Sequence, residues 1–201
     1  MKTLHLSLFT GLLLILSTST TLAVGAGQFM IEPSVGYRNE TVQLTDLLHQ
    51  ETKLKSAVPV YGLKLGYQSM IGVDVNLAYD YSKGKLEVSS VSDKSDFSHQ
   101  TGSLQLGISA LGQMKIYLGY AFVNDFKVEN SPSLEAFKLS GPAYIAGLQF
   151  KLFPHFNFGL QYNLNQFKKI SGKAYPLSED TETYYSKIDT QDYTIYLSLD
   201  F

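Results

Sequence analysis

The stretch "QDYTIYLSLDF", residues 191–201, decides the fold. Successive side chains of a strand point to opposite faces. Tyr193, Ile195, Leu197, Leu199 and Phe201 therefore share one face, and Asp192, Thr194, Tyr196, Ser198 and Asp200 share the other. Such a strand meets two different solvents, and here it closes the sequence on a phenylalanine. Working outward, the same two-residue period recurs in eight segments, about 28–38, 57–68, 71–81, 101–110, 114–123, 141–152, 156–167 and 191–201. Each has the length that a tilted strand needs to cross a bilayer, roughly ten residues.

The connections between segments alternate in kind. Short ones fall at Ser69-Met70, at Leu111-Gly112-Gln113 and at Phe153-Pro154-His155. Long, polar ones cover 39–56, 82–100, 124–140 and 168–190. Tight turns at one end and long loops at the other are the layout of outer-membrane barrels.

Which face is apolar separates a membrane barrel from a soluble one. One parity carries Phe29, Ile31, Val35 and Tyr37 in the first segment and Ile71, Val73, Val75, Leu77 and Tyr79 in the third. The opposite parity carries glycines such as Gly36, Gly66, Gly107 and Gly147, interleaved with Glu32, Arg38, Lys64, Asp74, Lys115 and Gln149. A lipocalin-type barrel would turn its aromatics inward, whereas small and polar residues suit the narrow interior of a membrane barrel. Tyr37, Tyr61, Tyr79, Tyr81, Tyr120, Tyr144, Tyr162 and Tyr193 fall at the loop end of their strands, while Phe29, Tyr67, Phe150, Phe156 and Phe201 fall at the turn end. Aromatic rings at both edges of an aliphatic belt form an interfacial girdle. The pattern predicts an all-β chain folded as an eight-stranded antiparallel up-and-down transmembrane β-barrel. Pro33 lies inside the first strand, where it has no donor for the ladder, so a bulge or distortion is expected there.

Residues 1–26 read as a cleaved secretory signal: Lys2, an apolar stretch densest over Leu12 to Leu16, then small residues up to Val24-Gly25-Ala26, with cleavage expected after Ala26 and Ala23 as the alternative. Residues 27–201 form the barrel domain. Removing the leader leaves 15 basic against 18 acidic residues, a formal charge of −3, which is no electrostatic footprint for nucleic acid. With no cysteine, neither a disulfide framework nor a thiolate site is available.

The terminal aromatic preceded by alternating apolar residues, Tyr193, Ile195, Leu197, Leu199 and Phe201, resembles the assembly signal of bacterial outer-membrane proteins. The whole of 27–201 resembles the OmpA/OmpX-like eight-stranded barrels. That resemblance implies the bacterial outer membrane as address, insertion by the outer-membrane assembly machinery, and outer-membrane lipid and lipopolysaccharide as surroundings. No periplasmic peptidoglycan-binding domain is expected after Phe201.

The inward charges are the best candidate constellation. Glu32, Lys64 and Asp74 lie at similar heights on the first three strands and are expected to form one buried ion cluster. Buried charges must be paired and hydrogen-bonded, so a packed polar interior is expected in place of a wide pore. His99-Gln100-Thr101 faintly resembles the His-x-Ser element of lipid A deacylase barrels, but threonine stands where serine is needed. No catalytic residue, cofactor or metal site is assigned, since His49 and His155 fall in connections on opposite sides. Among the long connections, "TDLLHQETKLK" (45–55) is expected to form a helical turn or two, and the second and third to form hairpins projecting beyond the membrane. Loops on a rigid scaffold carry contact surfaces. The expected role is therefore structural, adhesive or surface-interacting, with a host or surface ligand met through the four loops. The alternatives are a small passive channel similar to OmpW-type barrels for hydrophobic or small polar solutes, and a lipid A-modifying enzyme.

Overall fold

The computed structural model describes residues 27–46, 51–88, 94–110, 113–131, 136–170, 173–174 and 185–201. The proposed leader, His49 and Gln50 lie outside them. The strands are β1 (Gly27–Asp46), β2 (Glu51–Ser69), β3 (Val73–Val88), β4 (Lys94–Ala110), β5 (Met114–Val128), β6 (Phe137–Ser140), β7 (Ala143–Phe153), β8 (Phe156–Asn165), β9 (Lys169–Ile170), β10 (Lys173–Ala174) and β11 (Tyr185–Leu199). Eight of them close a ring in the order β1-β2-β3-β4-β5-β7-β8-β11, every pairing antiparallel, and β11 returns to β1. The short β6, β9 and β10 continue the sheet from the upper part of β5.

Turn chemistry fixes the lower rim. Gly72 takes a φ of 79° between β2 and β3, and its N–H donates to the Ser69 carbonyl at 3.0 Å. Between β7 and β8, His155 has a φ of 65° directly after Pro154, the order of a turn that needs positive φ at its third residue. Its Nδ1–H donates to the Asp200 carbonyl at 2.8 Å and its ring stacks on Phe201. The last residues of the chain are thus tied to the turn between β7 and β8.

Pro33 distorts less than its position suggests. The β1–β2 register runs through Pro33↔Leu63 without a shift. Toward β11, rows stop at Ser34↔Ser198, and Ile31 and Phe201 exchange backbone bonds of 3.2 and 3.1 Å beyond it in the same register. Proline therefore removes one donor near the end of the closing seam and inserts no bulge, because the ladder below is held by the next pair. A register shift does occur at Gly102/Ser103 against β5, where Phe122 and Val123 both face outward.

The strands are far longer than the lipid requires. β1 has 20 residues and β2 has 19, against the roughly ten that cross a bilayer. Residues 45–46 and 51–55 are strand, so the expected helical turn is absent from the described part of that connection. Extension by pairing wins because Val42, Leu44 and Leu54 keep the inward parity of the strands below while Thr41, Gln43 and Lys53 keep the outward one. Along one unbroken parity the chemistry reverses. Below, polar Glu32 and Arg38 point in and Ile31, Val35 and Tyr37 point out; above, Val42 and Leu44 point in and polar residues point out. Val42, Leu44, Leu54, Leu86, Phe97, Phe126, Val128, Leu139 and Phe167 form a dry cluster inside this upper part. The molecule is a membrane barrel continued by a barrel-like projection with an ordinary apolar core.

Candidate functional site

The lumen at membrane height is built from side chains that glycines leave room for. Tyr117 of β5 stands opposite Gly147 of β7, and Tyr196 of β11 opposite Gly159 of β8. A Cβ at Gly147 or Gly159 would collide with the Tyr117 or Tyr196 ring respectively. The two rings meet across the barrel, their hydroxyls 3.0 Å apart, and Tyr117 also donates to Gln161 Oε1 at 3.0 Å. Lys64 Nζ lies over both rings, 4.6 and 4.7 Å from their centroids, and donates to the Tyr196 hydroxyl at 3.2 Å. An ammonium over aromatic faces is attracted by the ring quadrupoles.

The sequence-derived charges divide between two pairs. Glu32 and Lys64 face each other in register and pair at 3.5 Å, with Glu32 also accepting from Gln149 Nε2 at 3.0 Å. Asp74 is fully buried on the same interior but pairs with Lys115 at 3.3 Å and accepts from Asn76. The expected three-way cluster is therefore two neighbouring pairs, because Lys115 reaches across from β5 to a carboxylate that Lys64 does not touch. Beside Lys64 the remaining void is ≈ 10 Å³, at the lower limit for one water.

Above these pairs sits a network that the sequence reading did not assemble. Arg38, fully buried, directs Nε toward Thr194 Oγ1 at 3.4 Å and Asp192 at 3.7 Å, Nη2 toward Asp80 at 4.0 Å, and Nη1 toward His99 Nδ1 at 3.1 Å. The same Nδ1 lies 3.0 Å from a Glu40 carboxylate oxygen, and His99 Nε2 lies 2.7 Å from Asn124 Oδ1. Asn163 and Asn165 donate to Asp192 at 2.6 and 2.9 Å. His99 lies above the lipid-facing part of β4, since the outward residues flanking it, Ser98 and Gln100, are polar. Burial opposes the imidazolium, but the Glu40 carboxylate outweighs it and holds the His99 pKa above its ordinary value. The rings of Phe126 and Phe167 cover His99 from above, so this network is the boundary between polar lumen and apolar projection.

Glu40, His99 and Asp192 offer ligand atoms within 4.8 Å of one another, yet the Arg38 guanidinium already contacts His99 and Asp192 and supplies the cation. Thr101 Oγ1 is 3.5 Å from His99 Nε2, whose shorter contact is Asn124. Both side chains are buried. The terminal residues of the proposed assembly signal, Tyr193, Ile195, Leu197, Leu199 and Phe201, lie along the outer face of the closing strand and its end. A signal for the lumen was present in the sequence: tyrosine against glycine at Tyr117–Gly147 and Tyr196–Gly159, legible once the register is known.

A closed antiparallel ring with lipid-facing apolar residues and a side-chain-filled lumen defines a small transmembrane barrel. The chain belongs to the outer membrane protein beta-barrel domain family, whose model matches residues 9–201. No curated protein is matched. Among solved structures it is similar to Ail, the attachment invasion locus protein of Yersinia pestis, in complex with the heparin analogue sucrose octasulfate: 18% identity, 88% of this chain and 99% of that one, TM-score 0.56. It is also similar to the outer membrane protein OprG from Pseudomonas aeruginosa, at 18% identity over 88% and 96% of the two chains with a TM-score of 0.53. The outer membrane protein AlkL is similar at 17% identity over 89% and 93%, with a TM-score of 0.51. At these identities the likeness is one of fold.

Proposed function

We propose that this outer-membrane barrel is a plugged anchor that presents its strand-built projection to the cell exterior as a contact surface, with a structural or adhesive role. The observation that carries this reading is the filled lumen: Lys64 held between Tyr117 and Tyr196, with ≈ 10 Å³ left beside it. A lumen filled at this height favours a plug over a conduit, which supports a role for the outside. The apolar core inside the projection supports it further, because a packed scaffold presents its loops in fixed positions. Ail, an attachment protein solved with a heparin analogue, supports a surface ligand as the partner. Residues 1–26 act as the cleaved leader, and the terminal strand from Tyr193 to Phe201 is read by the assembly machinery. A passive channel needs a continuous lumen, and the paired Glu32–Lys64 and Asp74–Lys115 charges weigh against a greasy conduit. A lipid-modifying activity would need His99 to reach substrate, and its burial weighs against that.

The test is adhesion of cells that carry the protein. Cells displaying it should attach to a glycan- or matrix-coated surface above the level of cells lacking it. Deleting 89–93, between β3 and β4, should lower attachment while the barrel still assembles. Equal attachment by producing and non-producing cells, with the protein present in the outer membrane, would sink the adhesive reading.

A further inference from the structure

The imidazole of His99 stands where two incompatible partners meet. Its Nδ1 lies 3.1 Å from Arg38 Nη1 and 3.0 and 3.2 Å from the two carboxylate oxygens of Glu40. A guanidinium only donates and a carboxylate only accepts, so Arg38 needs a bare Nδ1 and Glu40 needs Nδ1–H. The other ring nitrogen has no such choice. The Asp192 carboxylate accepts from Asn165 Nδ2 at 2.9 Å, which turns the Asn165 carbonyl to Asn124 Nδ2 at 3.1 Å and the Asn124 carbonyl to His99 Nε2 at 2.7 Å. This chain of amides keeps a proton on Nε2 and leaves Nδ1 as the nitrogen that gains or loses one.

Each setting of that proton strands a different group. With Nδ1 bare, Arg38 Nη1 donates to it, and buried Glu40 meets no other hydrogen-bond donor among the described residues. With Nδ1 protonated, Glu40 is paired and Arg38 must turn away from the imidazolium. An acceptor is within reach, because Arg38 Nη2 is buried with no hydrogen-bond partner and lies 4.0 Å from Asp80. Arg38 is one positive charge among three buried carboxylates, Glu40, Asp192 and Asp80. Among the described residues these are the charged groups around His99, since Asn124, Phe126 and Phe167, which complete its surroundings, do not titrate. An imidazolium supplies a second positive charge, and buried charges are costly unless paired. Burial opposes that charge and the Glu40 carboxylate outweighs it, so the His99 pKa stands above its ordinary value.

We propose that His99 is a proton-operated latch between the lumen and the projection, closed when Nδ1–H ties β4 to Glu40 of β1 and loosened when the bare nitrogen takes Arg38. The latch residues lie directly beneath the apolar core. Two residues further up each segment comes a member of that core: Val42 above Glu40, Phe97 above His99, Phe126 above Asn124 and Phe167 above Asn165. In the neutral state a carboxylate without a donor lies under Val42 and Leu44, and it gains partners only by admitting water. The projection is therefore held tight in acid and loosens as pH rises, whatever it contacts outside the cell.

The test is amide hydrogen exchange on the protein in phosphatidylcholine nanodiscs, followed by mass spectrometry over a pH series and corrected for the intrinsic exchange rate. Peptides covering 40–46 and 185–190 report the projection, and 73–79 reports the lipid belt. Opening of the projection should rise about 10-fold per pH unit once pH passes the unperturbed histidine value of about 6.5, until the raised folded value is reached. The belt should stay flat. His99→Gln should remove the rise, and so should Glu40→Gln, whose amide can donate to a bare Nδ1. The same rise in Glu40→Gln, or an equal rise in 73–79, overturns the latch. Nitrogen NMR on histidine-labelled protein reads the ring itself, with the His99 signals assigned by their absence in His99→Gln. Nε2 should stay protonated throughout while Nδ1 loses its proton; loss from Nε2 overturns the assignment. Circular dichroism checks that each variant folds. Should His99→Gln fail to fold, Glu40→Gln, which keeps the side chain's shape, carries the comparison and assigns His99 as the one histidine whose titration it moves.

Discussion

Replacing Lys64 by methionine removes a charge from the centre of the barrel and keeps the side chain's length. Lys64 and Glu32 are 5% and 3% exposed and pair at 3.5 Å, so the variant leaves the Glu32 carboxylate buried with Gln149 and Ser198 as hydrogen-bond donors but no ammonium beside it. Stranding one member of a buried pair costs about 3–5 kcal/mol. Losing the ammonium over Tyr117 and Tyr196 adds about 0.5–2 kcal/mol for each ring. Glu32→Gln should cost less, because Lys64 keeps both rings and the Tyr196 hydroxyl. The double variant Glu32→Gln/Lys64→Met has no stranded charge, and its loss should fall short of the summed single losses by about 1–3 kcal/mol. The chain has no tryptophan, so urea unfolding in phosphatidylcholine vesicles is followed by far-ultraviolet circular dichroism. Additivity of the single losses within about 0.5 kcal/mol would show that Glu32 and Lys64 do not act as a pair.

Gly147→Ala and Gly159→Ala each push a Cβ into a tyrosine ring and should cost about 1–3 kcal/mol of stability; an unchanged urea midpoint would show that the Tyr117–Tyr196 contact yields easily. The folded pKa of His99 is raised, so its stabilising contribution is fully present below the unfolded value of about 6.5 and is lost as pH rises through the higher folded value. The melting temperature should therefore fall across that interval in the wild type, and His99→Gln should flatten this part of the profile; an identical slope in the variant refutes the assignment. Phe201→Ala should slow insertion into vesicles bearing the assembly machinery more than insertion into bare lipid, as read by the folded band on a gel, and equal slowing would leave the terminal strand without a role in recognition.

The transmembrane ring was legible because lipid imposes a strict rule. Every outward residue from Ile31 to Tyr37, or from Val73 to Tyr81, must suit hydrocarbon or its interface, so a two-residue period survives in the sequence. The projection was harder to read. Val42, Leu44, Phe97 and Phe126 keep the same parity as the strands below, but the reversal from polar-inside to apolar-inside breaks the pattern that marks a membrane strand. The second and third connections still read as projecting hairpins, whereas 45–55 in the first reads as a helical turn. The lumen was legible in kind and not in partnership: Glu32 and Lys64 share a row, whereas Asp74 finds Lys115 only through two intervening registers. Arg38, Glu40, His99 and Asp192 come from β1, β4 and β11, and no local spacing brings them together.

Conductance tests the filled lumen most directly. Protein isolated from outer membranes and added to a planar bilayer should give no steady current above the leak of the bare membrane, and Lys64→Ala combined with Tyr117→Ala should produce openings. A steady wild-type current, unchanged in the variant, would contradict the plugged barrel.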